Sequence, residues 1–252
     1  MGERGERGKL AADDIARLRA RLRLTDPTAR SESVVELKAW QGAGLAEGTA
    51  PAVLSAATVG YPWVDSVPDD PGELLVQLLW QDPRGVPTGE LERAYVFCAE
   101  KARRAILRTL ALRRDAEAID ALVHLLGLDG PVDLLPVPTE DLLRPLVDVP
   151  GVERLVGVLV ATAWRRGWVP VVVDVLGAVL ERGLLSDSEA REACVELAPL
   201  MTSLVDTCDR AATMSDRGAM GRADRERAAL LTPIFGEIRS EESLLVLRRV
   251  LA

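Results

Sequence analysis

The sequence contains no asparagine, a single histidine, three lysines and three cysteines. Each shortage excludes something. Without asparagine there is no N-glycosylation acceptor. With only His124, and cysteines at 98, 194 and 208, no CxxC, HExxH or other zinc-ligand spacing can be assembled. Cys194 and Cys208 share one predicted helix and stand about 21 Å apart along it, beyond disulfide reach. An odd cysteine count with no pairing pattern fits a reducing compartment. Long apolar runs are missing too: the most apolar stretch, 152–180, is cut by Arg165-Arg166-Gly167, and neither side reaches the roughly 20 residues a spanning helix needs. The N-terminal MGERGERGKLAADD is charged and has no apolar signal core, so a cytoplasmic location with no membrane association is expected. No segment alternates with period 2, so no significant sheet is expected.

What is present suits a helical globular chain. Its 252 residues are 48% hydrophobic and 28% charged, enough for one large domain or two small ones. Basic residues number 31 against 39 acidic, a net charge of −8. That balance argues against nucleic acid and favours a basic protein surface as partner.

Apolar spacing and capping signals divide the chain. Residues 1–12 read as a flexible tail. Ile15, Leu18 and Leu22 mark a short amphipathic helix. Asp26-Pro27 and Asp70-Pro71-Gly72-Glu73 are helix starts, a capping carboxylate followed by proline at the first helical position. Helices are expected over 28–40, 50–58, 72–81, 88–113 and 116–126, and then over 152–165, 168–182, 187–209, 223–238 and 241–251. Residues 211–222 read as a loop. The tract 128–150 holds Pro131, Pro136, Pro138, Pro145 and Pro150, with at most a short helix at 139–147. It divides N-terminal helices at 13–127 from C-terminal helices at 151–252.

Two segments repeat one pattern. Arg104-Ala105-Ile106-Leu107 followed by Asp115 and Ile119, Leu122, Leu125 and Leu126 matches Arg227-Ala228-Ala229-Leu230 followed by Ser240 and Leu244, Leu247, Val250 and Leu251. Each unit is a helix, a short polar turn with a capping residue, and a second helix of spaced leucines. Weaker echoes lie at 28–57 and 152–182. The pattern resembles the HEAT-like repeats of bacterial proteins. It implies an all-α chain built as an α-solenoid of stacked antiparallel helix pairs, in which neighbouring pairs share a core that no single pair can bury. The turns depart from the usual Gly-Asp: Arg113-Arg114-Asp115 stands in one and Ile238-Arg239-Ser240 in the other.

No residue set points to catalysis, a metal or a cofactor. Gly42-Ala43-Gly44-Leu45-Ala46-Glu47-Gly48 follows a helix, whereas a dinucleotide loop follows a strand. Cys98 reads as a buried thiol and His124 as a surface residue off its helix's apolar face. The candidates are interface residues. Lys101, Arg104 and Arg108 form a stripe at i, i+3 and i+7, with Arg113 and Arg114 adjoining. That stripe suits an anionic group, and a solvated face paired with Glu90, Glu92 and Glu100 is the plainer reading. Trp164, Arg165, Arg166 and Trp168 cluster at one helix-to-helix turn, and Tyr61 and Trp63 lie in a loop. Tryptophan and arginine concentrate in interface hot spots, and the same residues serve equally well as core anchors.

Two functional classes follow. The first is a non-catalytic protein-interaction module, whether adaptor, inhibitor or immunity protein, or regulatory subunit, with homo-oligomerisation open. The second is an enzyme: the resemblance to HEAT-like alkylpurine DNA glycosylases implies tryptophans and a carboxylate in a groove, a part that Trp164, Trp168 and Asp174 could take. A likeness to HEAT-like bilin lyases rests on fold analogy alone.

Overall fold

The computed structural model describes residues 8–128, 141–213, 219–238 and 240–251. Among them the chain is all-α, with a single isolated bridge between Leu10 and Leu45. Two compact units result.

The first unit runs to Leu125 and holds α1 (Ala12–Leu22), α2 (Pro27–Trp40), α3 (Ala50–Ala57), α4 (Pro71–Leu78), α5 (Thr88–Phe97), α6 (Glu100–Arg113) and most of α7 (Ala116–Gly127). α4 is central, packing on α2, α3 and α6. Both proline starts work as the sequence implies. Asp26 accepts from the Ala29 amide at 2.7 Å, and Asp70 accepts from the Gly72 and Glu73 amides at 2.7 and 3.2 Å. These bonds satisfy amides that have no partner within the helix.

Two local expectations change. Residues 8–12 fall within the expected tail, yet Leu10 is fully buried and exchanges backbone hydrogen bonds with Gly44 and Ala46. The expected continuous helix over 88–113 breaks at Cys98 and Ala99, where the backbone is extended. No proline or glycine marks the break. It lets α5 fold against α6, contact that one straight helix forbids, so packing overrides propensity.

The second unit holds α8 (Val152–Thr162), α9 (Val169–Glu181), α10 (Asp187–Thr213), α11 (Ala219–Glu237) and α12 (Glu241–Leu251). α10 packs on α8, α11 and α12, and α11 also packs on α9. α10 and α11 take in both ends of the expected loop 211–222, whose residues 214–218 lie outside the described set. So do 1–7 of the expected tail and 129–140 of the proline-rich tract; the rest of that tract forms one 3-10 turn at Arg144–Leu146. On α8, Glu153, Arg154, Gly157 and Ala161 are exposed.

The two matching segments share their turn chemistry. Asp115 caps the Ala118 amide at 2.9 Å, and Ser240 caps the Ser243 amide at 3.1 Å. Arg114 takes the left-handed conformation (φ 52°) where glycine is favoured. Their second helices differ in burial: Ile119 is fully buried, whereas its counterpart Leu244 is 56% exposed.

Candidate functional site

The site builds up from the loop between α3 and α4. Asp70 pins the loop's end to the start of α4, and Asp69 beside it pairs with Lys38 at 2.8 Å. Tyr61 donates its hydroxyl to the Ala56 carbonyl at 2.8 Å, which folds the loop back over α3. Trp63 donates its indole N–H to Asp65 at 2.6 Å and leaves its ring 70% exposed. Phe97, the last residue of α5, is 75% exposed. These three aromatic residues line one pocket of about 250 Å³, together with Arg30 and Lys101.

The pocket's polar groups are unevenly satisfied. Arg30 is 2% exposed and donates to the Leu24 carbonyl at 3.2 Å, while its Nε finds no hydrogen-bond partner. Burial lowers its pKa, opposed by the nearby Tyr61 and Asp70. Burial likewise pushes Tyr61 up to about 12, against the pull of Arg19, Arg30 and Arg23. Next to the pocket, burial raises the pKa of Glu73, and Arg104 and Lys101 oppose it. The Cys98 thiol, buried with its Sγ 3.8 Å from the Ala57 carbonyl, is pushed up to about 11 by burial.

These protons have a consequence for stability. In the unfolded chain the thiol and phenol ionise near 9.0 and 10.0, whereas the folded chain holds both protons longer. Below pH 9 the two states are equally protonated; above it the unfolded state loses protons first and stability falls. The expected loss by pH 11 is about 1–2 kcal/mol per group. Urea unfolding midpoints between pH 8 and 11 should decline, and Cys98→Ala or Tyr61→Phe should flatten the decline. A flat wild-type profile contradicts the burial of both groups.

The basic stripe divides. Lys101 is exposed, with its Nζ 3.4 Å from the Pro68 carbonyl at the pocket's edge. Arg104 and Arg108 are half-buried. Arg113 is a buried structural residue: it reaches the Val86 carbonyl at 3.4 Å and lies 3.9 Å from both Asp115 and Glu117. Arg114 is exposed at the helix end. The structure thus brings Tyr61, Trp63 and Lys101 to one pocket and leaves Arg113 out of it.

The second-unit cluster separates in the same way. Trp168 is 3% exposed, whereas Trp164 is 61% exposed with Arg165 stacked over its ring at 5.0 Å. Arg166 is a structural ligand. It pairs with the fully buried Asp224 and donates to Ser203 Oγ at 3.1 Å, and Arg227 holds the other carboxylate oxygen at 2.8 Å. Asp174 is held by Arg144 at 3.0 Å. Of the three residues named for the enzyme alternative, Trp168 is thus buried, Asp174 is ion-paired and Trp164 is exposed.

His124 and the segment 42–48 lie outside the pocket. His124 is exposed and 2.9 Å from Glu92. The glycine-rich 42–48 segment joins α2 to α3, with Gly44 and Gly48 at positive φ. Among the described residues no three histidine, cysteine or acidic side chains converge as a metal site, and no helix is long and apolar enough to cross a membrane.

Sequence reasoning passed over Phe97, Arg30 and Asp224. Phe97 was legible: Leu91, Ala94, Tyr95 and Cys98 form the buried face at i, i+3, i+4 and i+7, which leaves 96 and 97 outside. Nothing in the sequence distinguishes Arg30 or Asp224 from their charged neighbours. No known protein family, curated protein or solved structure matches the chain.

Proposed function

We propose that this protein is a non-catalytic protein-interaction module, its helix pairs following the HEAT-like repeat pattern, and that the aromatic pocket of the first unit is its contact surface. One observation carries the reading: Trp63 and Phe97, at 70% and 75% exposure, flank a single pocket whose wall includes Tyr61. Large rings left in water beside a concavity are the usual anchors of an interface, where a partner side chain fills the pocket and the rings lose their water. The loop is held by Asp70, Asp69 and the Tyr61 hydroxyl, so little ordering cost remains to be met on binding.

The test is affinity purification of tagged wild type and of a Trp63→Ala/Phe97→Ala variant from the native host, read by quantitative mass spectrometry. A stoichiometric partner is expected with wild type. The double variant should retain less than about a tenth of it, because truncating a hot-spot aromatic costs about 2 kcal/mol or more. Both rings are exposed, so the melting temperature should be unchanged. Equal recovery by the two proteins, or recovery of no partner by either, overturns the proposal.

A further inference from the structure

We propose that the second unit carries a separate docking groove, between α8 and α10, for an amphipathic helical segment of a protein that flanks an apolar stripe with lysine or arginine. It rests on the module reading above but on none of its residues.

The groove has a volume of about 620 Å³ and lies entirely within the second unit. Its floor is apolar: Val156, Val160 and Ala193 are buried, and the exposed Gly157 and the 48%-exposed Val195 continue the surface. Gly157 leaves the floor open, because a Cβ built there meets nothing within 4 Å. Glutamates 153, 189, 192 and 196 line it against arginines 154 and 191, a surplus of two negative charges.

Spacing explains the arrangement. On α8, Glu153, Gly157 and Val160 share a face at i, i+4 and i+7; on α10, Glu189, Glu192 and Glu196 do so at i, i+3 and i+7. The two faces meet as an apolar trough with an acidic rim along α10 and a neutral Glu153–Arg154 rim along α8. That is the complement of an amphipathic helix with basic residues along one border of its apolar stripe. An acidic helix would meet like charge along the α10 rim, and a small polar ligand would leave the floor unfilled.

The discriminating probe is a fluorescein-labelled peptide of about 18 residues, leucines at helical spacing and lysines elsewhere, titrated by anisotropy against the purified full chain. The control replaces every lysine with glutamate. The lysine peptide should bind and the glutamate peptide should not. Gly157→Leu fills the floor and should weaken binding about tenfold or more without lowering the melting temperature, since glycine in a helix interior is already unfavourable. Glu192→Lys/Glu196→Lys should weaken it comparably. Trp63→Ala/Phe97→Ala should leave it unchanged.

Equal binding of both peptides, binding of neither, indifference to Gly157→Leu, or loss in the Trp63/Phe97 variant overturns the groove. Loss of host partner in that variant with peptide binding intact supports both sites. Undiminished partner recovery with peptide binding intact overturns the aromatic contact surface alone.

Discussion

Asp224→Ala is expected to lower the stability of the second unit by about 2–4 kcal/mol. The carboxylate is fully buried and accepts from two arginines, Arg166 in the turn before α9 and Arg227 on its own helix. Arg166 also reaches Ser203 on α10, so one buried charge ties the turn, α10 and α11 together. Removing one member of a buried ion pair typically costs about 3–5 kcal/mol, because the other charge is stranded. Here Arg166 and Arg227 retain 34% and 27% side-chain exposure and can recover some hydration, which sets the value at the lower end. Urea unfolding followed by far-UV circular dichroism measures it. Arg166→Ala combined with Asp224→Ala should cost less than the sum of the single changes, since each removes the other's partner. A loss below about 1 kcal/mol for Asp224→Ala would mean the carboxylate is not the tie the structure describes.

The paired tryptophans at 164 and 168 should respond in opposite ways. Trp168→Ala is expected to cost about 3–5 kcal/mol, the penalty for deleting a large ring from a packed interior. Trp168 is 3% exposed at the start of α9, beside the fully buried Val169, Val171 and Val172. Trp164→Ala should cost less than about 1 kcal/mol, since its 61%-exposed ring gives up little more than the stack with Arg165. Thermal unfolding of the two variants reads the contrast directly. Similar costs for both would contradict the separation of the pair into core and surface. Their clustering at one helix-to-helix turn leaves open in the sequence which ring anchors the core and which faces water. The structure ends α8 at Thr162 and inserts a 3-10 turn at Arg166–Trp168, and that change of phase sends one ring inward and the other outward.

Helix starts were legible wherever the sequence carries its own hydrogen-bond partner. Asp26, Asp70, Asp115 and Ser240 are each a side chain of the right length placed just ahead of the amides that need it. At the start of α10, Ser186 and Glu189 each accept from the other's backbone amide in the same way. Features set by distant packing were not legible. The break at Cys98 has no punctuation, Leu10 looks like any apolar residue in a charged terminus, and Arg114 occupies a glycine position. Of the candidate site, Tyr61 and Trp63 stood out because aromatics in a polar loop must either anchor or be exposed, and the two do one each. Lys101 reached the pocket through the fold alone. Charge paired in the interior is the least readable: Arg166 looks like a surface contact until Asp224 is found beneath it.

Under the proposed function, a partner protein closes over Trp63 and Phe97. The most direct measurement places a photo-crosslinking amino acid at position 63 in the native host, with a second variant carrying it at the exposed Glu117, outside the pocket, as the reference. One discrete heteromeric adduct at position 63, absent at position 117 and mapped by mass spectrometry to a single protein, is the expected result. No adduct at 63, or the same diffuse pattern at both positions, would contradict the claim that this face is a specific protein contact.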